Sequence, residues 1–368
     1  MAMTHQIRSK ITKNTLVHRI VSVGFLILLL VPLGFGILEF GSDDASLAGE
    51  NRNKEVWPES SLLKTDFTGY TAQVNRFMSD HIGLRDLLLN LHAKFQYRIL
   101  NKAISDKAVI AKNGWLFYSE RDALKNPTEL ASFGEEAAAA WLKPMLDYQH
   151  LIERHGGKLV VVLVPEKHHV YSEYLPSSYQ YTRDGHRADV IESLAKLSDI
   201  TVINLLDPML AEKGFGKLYL KSDSHWTQRG AYIAYRELIS TLQQQNKNIP
   251  FNSWDKLEKM EPVRGSGDLA TLLNLNGEFE EEYERYIPVH KQRGMNIDTA
   301  NQPSLLLVGD SFSARLNDFL PSSFTGIYFV HHNFRSLPTD VVAKRKPDIV
   351  VVEIIDRALG VPFEVSER

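Results

Sequence analysis

Short, uninterrupted apolar runs separated by longer amphipathic segments set the pattern of the second half of this chain. Leu159–Val164, Ile200–Leu205, Leu305–Val308, Ile327–Val330 and Ile349–Ile354 are continuous Val/Ile/Leu-rich runs rather than alternating ones. Such runs are expected of strands buried on both faces. Between them, Glu135–Glu153, Asp189–Leu197 and Thr227–Gln244 have helical spacing, and Gly156-Gly157 supplies a stop after the first. Strands alternating with helices predict an α/β domain with a parallel sheet covered by helices. Asn113-Gly114, between Val109-Ile110 and Trp115–Tyr118, predicts a hairpin with a type I′ turn. This hairpin and the segment Phe279–Tyr286 read as additions to the sheet.

The first hundred residues differ. Ile20–Leu38 are nineteen residues without a charge, preceded by Arg8, Lys10, Lys13 and Arg19 and followed by Glu39, Asp43 and Asp44. As a helix they would span roughly 28 Å, about the thickness of a bilayer's hydrocarbon core. The basic flank predicts a cytoplasmic start and an exported remainder. The expected organisation is a cytoplasmic tail over 1–19, a transmembrane signal anchor over 20–38, a polar linker over 39–62 and one catalytic domain over 63–368. A cleaved signal peptide is the alternative, with Ser46-Leu47-Ala48 as a small-x-small site. Helical spacing from Thr68 to Leu100 is expected to break at Gly83.

Composition adds exclusions. With 42 basic and 45 acidic residues, the charge of -3 gives no electrostatic case for nucleic acid. There is no cysteine, so disulfides and thiolate metal sites are ruled out. The adjacent pairs His168-His169 and His331-His332 lack the i, i+4 spacing that converges two imidazoles on an ion, so no metal is expected. No Gly-rich phosphate loop follows a predicted strand, and no cofactor is expected.

Two stretches carry the candidate chemistry. Gly309-Asp310-Ser311-Phe312-Ser313 follows a predicted strand and would set a hydroxyl at its carboxyl end, where ligands of open α/β sheets bind. Asp223-Ser224-His225-Trp226-Thr227 precedes a predicted helix. Ser311 as nucleophile, His225 as base and Asp223 as its orienting acid would make a triad. Read singly, each stretch is also compatible with an ordinary turn. Asp310, next to Ser311, is expected to shape the turn, and the Ser311 N–H to donate to an oxyanion. Lys167, Asn333 and Arg335 follow strands expected to end at the same edge and are candidate substrate contacts. Glu353 and Arg357 are expected to pair, Trp226 to pack and Thr227 to cap the helix that follows.

At these residues the chain resembles the SGNH-hydrolase-like alginate O-acetyltransferases, the AlgJ/AlgX group. Further likeness lies in Ser79–Asp86, Gly114–Tyr118, Pro165-Glu166-Lys167 and Gly267-Asp268-Leu269. The Asp/His stretch precedes the serine stretch, the permuted order of that group. The resemblance implies a Ser acyl-enzyme at Ser311 that transfers acetyl groups to hydroxyls of an alginate-like exopolysaccharide in the periplasm. It also implies a membrane-bound O-acyltransferase as acetyl supplier and other polysaccharide-secretion subunits as partners. With nothing beyond about residue 360 to form the carbohydrate-binding domain of the AlgX type, the AlgJ type is the expectation. The residues alone also admit an exported carbohydrate esterase, or a non-catalytic scaffold subunit.

Overall fold

The computed structural model describes residues 2–38, 46–47, 52–100, 102–120, 124, 133–179, 181–183, 186–288, 301–333 and 336–365. The chain divides into two compact units, 1–104 and 105–368.

In the first unit, helix α1 (Ala2–Leu38) contains Val17–Gly36, a stretch of mean hydropathy 2.1 that is long and apolar enough to cross a membrane. The helices α2 (Phe67–Asp80) and α3 (Arg85–Leu100) follow. Asp66 caps α2 by accepting a hydrogen bond from the Gly69 N–H at 2.9 Å. The break expected at Gly83 falls between α2 and α3, and Leu84 takes a positive φ there.

The second unit is built around one parallel sheet. Its strands are β3 (Lys158–Val164), β4 (Thr201–Asn204), β7 (Ser304–Gly309), β8 (Thr325–His331) and β9 (Ile349–Ile355). They lie in the order β8-β7-β9-β3-β4, and every pairing is parallel. All five apolar runs are therefore strands of one sheet. Register places His331 opposite Gly309, and Ile355 opposite Val164, so these strand ends share one edge.

The continuous apolar character follows from what covers the two faces. Val160, Val162, Leu305, Leu307 and Val351 face a core completed by Tyr232, Tyr235 and Ile239 of α7 (Gln228–Gln243). Leu159, Val161, Leu306, Val308, Val350 and Val352 face Trp141, Met145 and Ile152 of α4 (Glu135–Arg154), with Ile191 of α6 (Arg187–Ala195). Alternate residues thus enter opposite cores, and both faces of these strands are apolar apart from Glu353 in β9.

The predicted hairpin is present as β1 (Ala108–Ile110) and β2 (Leu116–Tyr118), which pair antiparallel. Asn113 and Gly114 both have positive φ, and the Trp115 N–H donates to the Lys112 carbonyl at 3.2 Å, as a type I′ turn requires. Glu281–Pro288 forms β6, which pairs antiparallel with β5 (Leu257–Gly265) outside the main sheet.

Val351, within the middle strand, has no exposed surface. Val351→Ala is expected to destabilise the chain by about 2–3 kcal/mol, read as a lower urea midpoint at unchanged slope. A loss below about 0.5 kcal/mol would argue against a strand covered on both faces.

Candidate active site

The serine turn starts where β7 ends. Gly309 is required by crowding, because a Cβ there would run into Ser313 Oγ and come within 2.9 Å of Glu353 Oε2. Asp310 Oδ1 accepts the Phe312 N–H at 2.8 Å, so this acid shapes the turn as expected. Glu353, buried within β9, accepts from Ser313 Oγ at 2.6 Å and from the Asp310 N–H at 3.4 Å. Burial, followed by the nearby Asp310 charge, pushes the Glu353 carboxyl well above the usual range. Ser311 itself stays exposed at the tip of this fixed turn.

The histidine loop enters from the other side. Thr227 Oγ1 caps α7 by accepting the Gly230 N–H at 3.2 Å. Trp226 is fully buried, and its Nε1–H donates to the Phe312 carbonyl at 3.0 Å. Its ring meets Phe312 edge-on at 5.4 Å between centroids. Residues adjacent to His225 and to Ser311 are therefore clamped together. Within that clamp, His225 Nε2 lies 2.7 Å from Ser311 Oγ. His225 Nδ1 lies 2.7 Å from Asp223 Oδ1, which also accepts the His225 backbone N–H at 2.8 Å. Burial alone would raise the Asp223 carboxyl. The bonds from the His225 ring and backbone outweigh that and hold it well below the usual carboxylate range. The atoms lie in the order needed for a hydroxyl to lose its proton to an imidazole that a carboxylate orients.

A second carboxylate stands beside this line. Asp268 Oδ2 lies 3.5 Å from His225 Nδ1, and Asp268 accepts both the Ser224 N–H, at 2.6 Å, and the Ser224 hydroxyl, at 2.5 Å. Burial and the Asp223 charge raise its carboxyl. A Cβ on Gly267 would strike the Asp223 side chain, so only glycine lets this turn approach. Glu281, from β6, accepts the Ser222 N–H at 2.8 Å and the Ser222 hydroxyl at 2.9 Å. Sequence reasoning gave neither residue a role. The Gly267-Asp268-Leu269 stretch was a signal for the first, and nothing local marked Glu281.

Three further expectations are revised or bounded. Lys167 is buried, and its ammonium donates to the carbonyls of Leu220, Lys221 and Asp223 at 3.0, 3.1 and 2.7 Å. It also lies over the rings of Trp115 and Phe117. We assign it to holding the histidine loop, because its donors are spent within the protein and it has no surface to offer a substrate. Arg357 does not pair with Glu353. Lying beyond the strand in a turn, it donates to Glu166 Oε1 at 2.8 Å. Asn333 is exposed just past the β8 end, at the expected edge, with a positive φ and its N–H donating to His331 Nδ1 at 3.0 Å. Arg335 lies outside the described residues.

The family described as "SGNH hydrolase-like domain, acetyltransferase AlgX" matches residues 108–325, which include Asp223, His225 and Ser311. Among curated proteins, the probable alginate O-acetylase AlgJ of Pseudomonas syringae pv. tomato is 23% identical, covering 81% of this chain and 80% of that protein. Its namesake from Pseudomonas fluorescens is 25% identical over 95% of this chain and 89% of that protein. The solved O-acetyltransferase domain of Pseudomonas putida AlgJ aligns with a TM-score of 0.51 at 22% identity, covering 71% of this chain and 95% of the domain. Bacillus cereus PatB1 aligns with a TM-score of 0.51 at 17% identity, covering 68% and 97%. The structural likenesses agree on the fold.

Desolvation by burial lowers the Lys167 ammonium to about 8, despite the acidic groups Asp268, Asp223 and Glu281 nearby. The unfolded chain therefore binds this proton more tightly between about pH 8 and the usual lysine value of about 10.4, and stability should rise with pH across that window. Geometry runs the other way, since a neutral amine has two N–H donors for three carbonyls. Turnover of an activated ester should fall above about pH 8 while urea stability does not. Lys167→Met should be poorly active at every pH and lack this limb. Activity and stability declining together would refute the role assigned to Lys167.

Proposed function

The chain belongs to the family of SGNH hydrolase-like acetyltransferase domains to which AlgX gives its name, and on that footing we propose that it acetylates an exopolysaccharide through an acyl-enzyme on Ser311. The observation that carries this reading is the line from Asp223 Oδ1 through His225 to Ser311 Oγ, with both links at 2.7 Å. His225 Nε2 takes the Ser311 proton as Oγ bonds to the acetyl carbonyl carbon of an ester donor. The same proton then goes to the departing alcohol oxygen as the donor's ester bond breaks, leaving acetyl-Ser311. Asp223 keeps Nδ1 protonated and stabilises the imidazolium that forms at each transfer. The Ser311 N–H is the donor best placed by sequence to meet the oxyanion.

In the second half-reaction a sugar hydroxyl gives its proton to Nε2, its oxygen bonds to the acetyl carbon, and Ser311 leaves with the proton returned. No water is consumed. If water took the acceptor's place, acetate would form and the same site would act as an esterase. The relatives named alginate O-acetylases favour a polysaccharide acceptor of the alginate kind. A membrane-bound O-acyltransferase would supply acetyl groups, alongside other polysaccharide-secretion subunits.

The deciding experiment incubates the protein with an activated acetyl ester and a panel of oligosaccharides, and follows both products by mass spectrometry. Acetylated sugar is expected, and Ser311→Ala should lower its formation by roughly 10⁴–10⁶-fold with the chain still folded. Free acetate alone across the panel, with pre-acetylated polymer stripped, would make the protein an esterase.

On this reading residues 1–19 stay in the cytoplasm, 20–38 cross the inner membrane, 39–62 link, and 63–368 work in the periplasm. The basic flank of the apolar helix supports this orientation. Reporter fusions after residue 60 should be active when the reporter requires export. Activity confined to cytoplasmic reporters would reverse the topology.

A further inference from the structure

Three buried side chains that the proposed reaction does not use converge at the carboxyl edge of the sheet. His169 lies in the short helix α5 (Lys167–Val170) just after β3, His186 immediately precedes α6, and Asp356 is the first residue beyond β9. They are 4%, 6% and 4% exposed. One ligand-type atom from each lies within 4.8 Å of the other two. His186 Nε2 is 2.7 Å from His169 Nδ1 and 3.3 Å from Asp356 Oδ2.

Hydrogen bonding within the protein does not balance this cluster. Asp356 accepts the Ala188 N–H, yet among the described residues its Oδ2 is buried without a hydrogen-bond partner, and so is His186 Nδ1. Asp189 Oδ1 lies 3.8 Å from that Nδ1. If neutral His186 carries its proton on Nε2 to reach His169, its bare Nδ1 faces the Asp189 carboxylate. If it carries the proton on Nδ1, its Nε2 lone pair faces Asp356 Oδ2 when that carboxyl is ionised; a neutral Asp356 would relieve this contact, but the Nδ1–H would still reach Asp189 Oδ1 only at 3.8 Å. A doubly protonated ring would serve His169 and Asp189, but would still leave Asp356 Oδ2 without a good bond. A cation between the three atoms satisfies all of them and leaves Nδ1–H pointing at Asp189, the outer carboxylate that metal-bound histidines usually have. Arg187, whose charge also acts on His169 and Asp356, opposes a cation here.

We propose that His169, His186 and Asp356 form a zinc site that ties α5, α6 and the end of β9 together behind the histidine loop. Two imidazole nitrogens and one carboxylate oxygen are ordinary zinc donors. With metal–ligand bonds of about 2.0–2.1 Å, tetrahedral donors stand about 3.3 Å apart. The His169–His186 contact would open by roughly half an ångström, and the His186–Asp356 contact already fits. The role is positioning rather than catalysis. Asp356 adjoins Arg357, which holds Glu166, and Glu166 precedes the Lys167 that grips the histidine loop.

The test strips the full chain in detergent with a chelator, titrates it with zinc chloride, and measures retained metal by mass spectrometry after desalting. The Asp223, His225 and Asp268 side chains are also close enough to hold an ion, so His225→Ala serves as a parallel background. About one zinc per chain is expected in both backgrounds. Its affinity should fall at least about a hundredfold in His186→Gln and in Asp356→Asn. Zinc should also raise the melting temperature of the stripped chain by roughly 5 °C or more. No retained metal at micromolar zinc overturns the proposal. So does metal that is lost with His225→Ala, or binding unaffected by either substitution. Should both variants fail to fold by circular dichroism, cobalt on the stripped His225→Ala chain decides. Tetrahedral d–d absorption supports the site, and its absence overturns it.

Discussion

A single buried ammonium fixes the histidine loop. Lys167, just past the end of β3, gives its three donors to three carbonyls of one short segment, Leu220 to Asp223. Taking an ammonium out of water costs several kcal/mol, and bonds to a charged group return about 1.5–3 kcal/mol each. The net gain in stability is therefore small, but the geometry is tightly specified. Removing the ammonium would leave the Leu220 and Asp223 carbonyls to find other partners, with only the Lys221 carbonyl still held, by the Leu116 N–H at 2.9 Å, and the loop could no longer hold one shape. Glu281 and Asp268 complete the arrangement by taking the N–H and hydroxyl groups of Ser222 and Ser224. Carbonyls are thus held from one side and N–H groups from another, with Asp223 and His225 left at the end of a loop that cannot turn.

The opposing turn is held by a different device. Glu353 rises from the middle strand, burial drives it toward the neutral acid, and it accepts the Ser313 hydroxyl. Gly309 permits that close approach. The Trp226–Phe312 contact then sets the distance between loop and turn. Two segments 86 residues apart in sequence meet with a 2.7 Å contact between His225 and Ser311 because their immediate neighbours are packed against each other.

Strands β3, β7 and β9 were legible in the chain because burial on both faces demands an unbroken apolar run; the edge strand β8 carries such a run although Tyr328 and Phe329 are exposed. The Asn113-Gly114 turn was legible because few residues tolerate two successive positive φ angles. Ser311, His225 and Asp223 could be named because each sits at an element boundary with turn-forming neighbours. Lys167 was misjudged for a physical reason. A lysine after a strand usually keeps its charge in water, and only the folded loop offers three carbonyls in exchange. Asp268 and Glu281 act across 44 and 59 residues of sequence, where no periodicity connects them to their partners. The histidines were weighed as neighbours along the chain, but His169 meets His186 and Asp356 from other elements, a convergence that a spacing rule for one helix does not detect.

Activation and acceptor choice are separable on the proposed mechanism. The Lys167 and Trp226 contacts that fix the hydrogen-bonded line lie behind it, inside the protein, while Ser311 faces solvent. An acyl group on that oxygen would be as open to water as to a sugar. Transfer then depends on an acceptor whose own binding displaces water and presents a hydroxyl in line with the acyl carbon. Well-oriented intramolecular reactions reach effective molarities of about 10⁵ M or more, which is enough for a positioned hydroxyl to prevail over solvent. The exposed edge past β8, where Asn333 sits, is available for such an acceptor, whereas Lys167 is not. Substitutions that weaken acceptor binding should therefore shift product from acetylated sugar to acetate with little loss of acyl-enzyme formation, while disturbance of the Lys167, Glu281 and Asp268 supports should suppress both products together.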